Sequence, residues 1–131
     1  MAPKKKPEGI VQFEADGQVY STCVQVGDKF HFSGTIGAVE NGRMKSDGDF
    51  EAQVREVMRR MMSMLDAVGL TPNDVYSATV MLSGDMSGYS YLNKAWGGFF
   101  SSCPIKPRRK AFAVAALPFG ALIEVEFDAV C

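Results

Sequence analysis

Two charged side chains near the C-terminus have the types that chemistry on small acids requires. Arg109 stands at the entrance of the run 110–117, which is apolar after Lys110, and Glu124 lies fifteen residues later in a second apolar run. A guanidinium presents a rigid fork of donors that matches a carboxylate bidentately. A protein carboxylate can orient a water molecule or accept its proton. The pair therefore indicates recognition of a small carboxylate and movement of a proton or a water.

Both residues also fit a structural interpretation. Arg109 belongs to a basic cluster at 106–110, which is typical of a solvated strand entrance. Glu124, Glu126 and Asp128 alternate with apolar residues, as they would on the solvated face of a strand. Periodicity alone does not separate the two interpretations.

Other kinds of chemistry lack their residues. The chain has a single histidine, His31, between two phenylalanines in a predicted strand, where a surface position is expected. One histidine cannot supply a His-based metal cluster, and at such a strand position it is not expected to form part of a Ser-His-Asp triad. There is no CxxC pair, no GxxxxGK[ST] loop and no GxGxxG segment after a strand. Nucleotide, haem and zinc sites are therefore not expected.

Composition also limits partners and compartment. The net charge is −1 and the isoelectric point is near 5.8, so no overall field attracts nucleic acid. No apolar run approaches the roughly 20 residues of a membrane span, and the first residues lack the apolar segment of a signal peptide. Three scattered cysteines favour free thiols in a reducing compartment. The prediction is a cytoplasmic protein that does not contact a membrane, with nucleic acid disfavoured as a partner.

The elements that must position Arg109 and Glu124 follow from periodicity. At 131 residues we predict a flexible basic tail at 1–8 and a single domain at 9–131. Strands are expected at 10–13, 19–26, 29–33 and 75–82, with a turn at Asp16–Gly17, a polar loop at 41–48 and a closing hairpin after residue 109. Helices are expected at about 50–68, with Asp47 or Asp49 as N-cap and Glu56 on its polar face, and at about 88–100. This order predicts an α+β fold with two helices on one face of a mixed sheet.

The closing hairpin carries two further expectations. Residues 111–116 are apolar on both sides, whereas two helices cover only one sheet face, so the other face requires a second copy of the chain. A turn centred on Pro118–Phe119 would pair residue 113 with residue 124. Arg109 and Glu124 would then lie four residues apart along the strands, roughly 13 Å. The two side chains would meet more readily across a subunit boundary.

Three parts of the sequence carry a more specific pattern. They are Tyr20-Ser21, Val26-Gly27-Asp28 and Phe32-Ser33-Gly34 in the opening strands, Asn93-Lys94-Ala95-Trp96 and Phe99-Phe100 in the second helix, and residues 107–125. Together they resemble the Rid (YjgF-type) reactive-intermediate deaminases over nearly the whole domain. The resemblance implies a chorismate-mutase-like α+β fold and a homotrimer with a cleft at each subunit interface. It also implies cofactor-independent hydrolysis of enamines and imines, such as 2-aminoacrylate and its imine tautomer, to 2-keto acids and ammonia.

The same resemblance implies a role for each matching position. It makes Arg109 the clamp for the substrate carboxylate and Glu124 the residue that holds or activates water. The remaining positions that it places at the site are Tyr20, Ser33, Gly34, Asn93 and Ala111, the last through its backbone N–H. Lys110 stands where a small or apolar residue is usual, which leaves the preferred imine open.

Two alternatives stay open at this stage. One is a non-enzymatic member that binds small carboxylates or acts as a chaperone-like scaffold through the same cleft. The other is RNA cleavage, an activity also attached to the family as endoribonuclease L-PSP. Basic patches at 4–6 and 106–110 favour RNA. The negative net charge and the lack of a second histidine disfavour it.

Overall fold

The computed structural model describes residues 3–5, 10–13 and 19–131. Within these ranges the chain alternates short strands with two α-helices. In chain order the elements are β1 (Lys4–Lys5), β2 (Ile10–Phe13), β3 (Cys23–Val26), β4 (Lys29–Thr35), β5 (Val39–Glu40), β6 (Arg43–Met44), α1 (Phe50–Ala67), β7 (Val75–Ser83), α2 (Tyr89–Phe99), β8 (Arg108–Val114) and β9 (Ile123–Val130).

One mixed sheet contains most of these strands. Its order is β1-β2-β3-β4-β9-β7-β8, and β5 and β6 form a small separate hairpin. Neighbouring strands pair antiparallel except β7 and β8, which are parallel and are joined by α2. A parallel pair needs such a crossover because a tight turn cannot connect its ends. The predicted α+β class, with a mixed sheet and two helices, is confirmed.

The helix α1 begins and ends as its sequence predicts. The Asp49 side chain accepts a hydrogen bond from Ala52 N at 3.0 Å, which satisfies an otherwise free N–H of the first turn. Gly69 follows the helix with φ +77°, a left-handed conformation that favours glycine. Val54, Val57 and Met61 are fully buried, so this stripe packs into the core as the spacing indicates.

Two polar residues of α1 are buried against expectation. Glu56, predicted on the solvated face, accepts hydrogen bonds from Ala38 N at 3.0 Å and from the Ser46 hydroxyl. Gln53 is fully buried, donates to Ser46 O at 2.9 Å and accepts from Leu122 N at 2.8 Å. Buried backbone groups need such partners. The two side chains therefore fasten the segment before α1, and the start of β9, to the helix.

The core is a single cluster between the sheet and the helices. The buried side chains of β7 alternate, with Val80 and Leu82 facing the helices. From β9, Val125 and Phe127 face the same way, and Phe127 stacks on Phe32 with 4.4 Å between ring centroids. Both helices therefore cover one sheet face, and the second face is left open.

The predicted closing hairpin is wrong. β8 and β9 do not pair with each other, because β7 lies between them: it pairs parallel with β8 and antiparallel with β9. The segment between β8 and β9 contains a 3₁₀ turn at Pro118–Gly120, in which Phe119 has φ +59°. Two apolar runs around a proline-glycine turn look like a hairpin locally. Here the segment that contains the turn connects β8 to β9, which lies on the other side of β7.

The apolar run after Arg109 is also less covered than predicted. β8 ends at Val114 and forms one edge of the sheet. Ala111 packs against the core, but Ala113 is exposed and Phe112 is 40% exposed. Within one chain the face that carries Phe112 is therefore open, and the face that carries Ala111 is covered only in part.

The N-terminal predictions differ from the structure at several points. The predicted strand 19–26 begins only at Cys23, and the polar loop 41–48 contains part of the β5–β6 hairpin. Lys4–Lys5, within the basic tail predicted at 1–8, pairs antiparallel with β2, and the flexibility of that tail stays a prediction. Backbone hydrogen bonding at a sheet edge does not require apolar side chains. The predicted turn at Asp16–Gly17 lies outside the described residues.

The remaining surface and thiol predictions agree with the structure. His31 is exposed and its Nδ1 lies 2.8 Å from Asp128 Oδ1. All three cysteines are free, and burial raises the pKa of Cys23 to about 12, which leaves this thiol unreactive. Neither helix within the described part of the chain is long and apolar enough to span a membrane.

Gly97 offers a test of the fold that is independent of the site. It lies in the interior of α2, and a Cβ added there would meet nothing within 4 Å. Gly97→Ala should therefore raise the free energy of unfolding by about 0.5–1 kcal/mol, because alanine has less conformational entropy to lose in a helix. Urea unfolding of the two proteins measures the difference. A loss of stability would contradict the open surroundings of Gly97.

Candidate functional site

Arg109 lies on the edge strand β8, and the helix α2 holds its guanidinium. Arg109 Nη2 donates hydrogen bonds to Asn93 Oδ1 at 2.8 Å and to Tyr89 Oη at 3.0 Å. Asn93 is a predicted site residue, so the structure brings these two together. Tyr89 was not predicted from the sequence.

Two aromatic rings complete this environment. Arg109 Cζ lies 5.3 Å from the ring centroid of Trp96 and 5.5 Å from that of Tyr89, within cation–π range. Tyr89, Asn93 and Trp96 are four and three residues apart, which places them on one face of α2. We call Tyr89, Asn93, Trp96 and Arg109 the arginine group. Their helical spacing is the signal from which Tyr89 could have been found.

A second set of predicted residues meets elsewhere. Tyr20, Ser33 and Gly34 line one small cleft between the start of β3, the end of β4 and the helix α1. The Ser33 hydroxyl donates to Ser21 O at 2.6 Å, which fixes the loop that carries Tyr20. Tyr20 itself is 57% exposed and free to contact a ligand.

Glu124 lies directly against this second set. A Cβ on Gly34 would stand 1.9 Å from Glu124 Oε2, so only a glycine permits this approach of the β4 backbone to the carboxylate. The pairing of β4 with β9 shifts register between Phe32 and Thr35, at the same point. Such a bulge re-aims side chains beside it. We call Tyr20, Ser33, Gly34 and Glu124 the carboxylate group.

The environment of Glu124 favours its protonated form. Burial raises the pKa of this half-buried carboxyl group above its usual range, and the negative charge of Glu126 raises it further. A carboxylate with a raised pKa is a stronger base than an ordinary one. The position therefore suits a group that takes a proton from water, and it is not the fully solvated strand face of the structural interpretation.

The two groups do not meet within one chain. Arg109 pairs with Ala78, whose buried side chain faces the helices. Glu124 pairs with Met81, which lies between the buried residues 80 and 82 and so faces the open side of the sheet. Across two strand spacings and three residues of offset, their Cα atoms lie about 14 Å apart. This distance replaces the separation of roughly 13 Å along the strands that the predicted hairpin gave.

Ala111 lies beside Arg109 on β8. It lies two residues after Arg109 in β8, so the two side chains share a face. Its side chain packs against the core, which leaves only its backbone for contact with a ligand.

Replacing Gly34 tests the close approach of β4 to Glu124. Gly34→Ala should force the carboxylate away and reduce any activity that depends on it by about tenfold or more, since a 1 Å misplacement can cost up to a hundredfold. Gly97→Ala provides the matched glycine control, because nothing surrounds that position. Full activity of Gly34→Ala would show that Glu124 can shift without consequence.

The fold and the site define a class of protein: a small α+β domain with an arginine held by the helix α2 and a separate, half-buried carboxylate. A model of the family described as Endoribonuclease L-PSP matches residues 12–131. A RutC family protein of Pyrococcus horikoshii is 32% identical over 107 residues, which is 82% of each chain. The 2-iminobutanoate/2-iminopropanoate deaminase of Homo sapiens is 31% identical over 111 residues, 85% of this chain and 79% of the human one.

Solved structures agree with the sequence relatives. RidA from an Antarctic Psychrobacter superposes with a TM-score of 0.75 at 31% identity, covering 88% of this chain and 90% of the other. A putative endoribonuclease of Thermotoga maritima gives a TM-score of 0.76 at 31% identity, with 86% of each chain covered. The chain belongs to the Rid (YjgF-type, endoribonuclease L-PSP) family, as its sequence resemblance indicated.

Proposed function

We propose that this protein hydrolyses the enamine and imine forms of small 2-amino acids, of the 2-aminoacrylate and 2-iminopropanoate type, to 2-keto acids and ammonia. The observation that carries the proposal is the guanidinium of Arg109. Asn93 and Tyr89 take hydrogen bonds from its Nη2, whereas Nη1 and Nε have no partner among the described residues. A fixed cation with free donors is suited to bind a carboxylate. The deaminase names of relatives at 31% identity support the reaction.

The chemistry requires few groups. Arg109 binds the substrate carboxylate and orients the protonated imine, whose carbon is already electrophilic. Glu124 accepts a proton from water as the water oxygen bonds to that carbon and the C=N π electrons move to nitrogen. The resulting carbinolamine transfers a proton from oxygen to nitrogen, the C–N bond breaks, and ammonia leaves as the C=O bond forms. No step calls for a metal or an organic cofactor.

The arginine and carboxylate groups are proposed to meet between chains of a homotrimer. Within one chain they lie on opposite sheet faces. The open face and the β8 edge also expose apolar side chains that a second copy would cover, among them Phe112 at 40% and, in the following turn, Phe119 at 56%. Arg109 of one subunit would then act with Glu124 of its neighbour.

The direct test generates an imine in place with an amino-acid oxidase and follows release of the keto acid. The protein should accelerate release from 2-imino acids with small side chains, and a panel of side-chain sizes would show the preference that Lys110 leaves open. A protein that accelerates none of these reactions would overturn the proposed hydrolysis.

Binding without turnover is the second candidate, because the same Arg109 geometry would hold a keto acid. In that case 2-oxobutanoate binds, Arg109→Ala abolishes binding and no imine is consumed.

RNA cleavage is the less favoured alternative. The described residues offer one histidine for acid–base chemistry, and it is engaged with Asp128. We also retain a cytoplasmic location as part of the proposal, on the three free cysteines.

A further inference from the structure

The hydrogen bonds of Arg109 divide its donors into two sets. Nη2 carries two protons, and it has two acceptors, Tyr89 Oη and Asn93 Oδ1. Nη1 and Nε have no acceptor within the described part of the chain. Residues of α2 therefore accept both hydrogen bonds of Nη2, and the N–H groups of Nη1 and Nε can donate to a ligand.

Contacts with the rings act on the same group. Trp96, which is buried, and Tyr89 both lie within cation–π range of Arg109 Cζ, so two aromatic rings add to the hydrogen bonds that hold the guanidinium. An arginine side chain loses much rotamer freedom when it is held. Fixing it before the ligand arrives removes that cost from binding.

We infer that Tyr89 is a positioning residue: its hydroxyl, with Asn93 and the Trp96 ring, fixes the Arg109 guanidinium in the orientation that receives a substrate carboxylate. The inference rests on the proposed function. Tyr89 is 39% exposed, and its hydroxyl accepts a hydrogen bond from Arg109. Removing the hydroxyl therefore changes the hold on the guanidinium and leaves the ring in place.

The predicted signature is a change in binding. The carboxylate stays bound to Arg109 from the ground state to the transition state, so loosening the guanidinium weakens both states alike. Tyr89→Phe should raise Kd for 2-oxobutanoate, and KM for the imine, by roughly fivefold, with kcat changed less than twofold. Kd for 2-oxobutanamide, which lacks the carboxylate charge, should be the same in both proteins.

Tyr91→Phe is the matched control. Tyr91 lies two residues away on the same helix, and its hydroxyl accepts a hydrogen bond from Arg55 Nη1 at 3.2 Å, away from Arg109. This variant loses an equivalent tyrosine–arginine contact and should keep wild-type Kd, KM and kcat. Comparing the unfolding of both variants shows whether either hydroxyl matters to stability alone.

The experiment measures Kd for both ligands, KM and kcat in wild type, Tyr89→Phe, Tyr91→Phe and Arg109→Ala. A selective rise in Kd and KM for the acids in Tyr89→Phe supports the inference. Unchanged Kd in Tyr89→Phe, an equal loss for the amide, or an equal loss in Tyr91→Phe overturns it. Arg109→Ala that still binds 2-oxobutanoate would instead overturn the carboxylate clamp of the proposed function.

Discussion

Arg109→Ala is expected to reduce kcat/KM for 2-imino acids by roughly a hundred- to a thousandfold, because it removes the charged, bidentate partner of the substrate carboxylate. The free energy of unfolding should change little. The guanidinium is partly exposed, and its partners Tyr89 and Asn93 also reach solvent. Steady-state kinetics and urea unfolding measure the two effects separately.

Arg108→Ala is the matched control for this result. It removes the same charge from the adjacent position of β8, but the Arg108 side chain is exposed and points to the opposite face of the strand. It should retain most of the activity. Equal losses in the two variants would show that general positive charge at the strand entrance matters, and not the arginine held by α2.

Glu124→Gln has the second large effect, a loss in kcat of about a hundredfold or more, because glutamine cannot accept a proton from water. Activity of the wild type should rise with pH through the raised pKa of Glu124, since only the ionised form is a base. The pH dependence of kcat/KM measures this pKa. A profile without an ionisation above that of an ordinary glutamate would contradict the role assigned to Glu124.

Glu124→Gln, which lowers activity, should raise the free energy of unfolding near neutral pH. Burial raises the pKa of Glu124 in the folded chain, so the unfolded chain binds fewer protons between the unfolded and folded pKa values. Stability from this group is complete below the unfolded pKa and is lost as pH rises through the folded pKa. Glu124→Gln should therefore be more stable than wild type near pH 7, with the advantage vanishing at low pH. Urea midpoints at both pH values test this.

The sequence is most informative where local chemistry decides the structure. Asp49 caps α1, Gly69 follows its end, and the apolar stripe that includes Val54 and Met61 is buried as its spacing predicts. The fold class could be predicted because the periods of strands and helices are distinct. The family could be recognised because Arg109 and Glu124 stand at a specific spacing.

Strand pairing was not predictable in the same way. β8 and β9 are adjacent in sequence, and the turn at Pro118–Gly120 favours a hairpin, yet β7 separates them. Which strands neighbour one another is decided by the whole core, where a crossover through α2 places β8 beside β7. Local turn chemistry has no information about a strand that ends 35 residues before it.

The site shows the same division. Arg109 and Asn93 were expected together and are in contact, whereas Tyr89 was missed because a tyrosine at a helix start is ordinary. The helical pattern predicts Glu56 on the polar face of α1. It gives no sign of the backbone partner Ala38, which lies 18 residues earlier in the chain. A contact such as that of Glu56 with Ala38, which follows no helical or strand spacing, has no signature in a single sequence.

Mixing two inactive variants tests the proposed shared site most directly. Arg109→Ala and Glu124→Gln subunits, unfolded together and refolded in equal amounts, would form trimers in which some boundaries combine an intact Arg109 with an intact neighbouring Glu124. If each site draws these residues from two chains, random assembly restores about one quarter of the wild-type imine hydrolysis. A mixture no more active than the two variants measured separately would contradict a site shared between subunits.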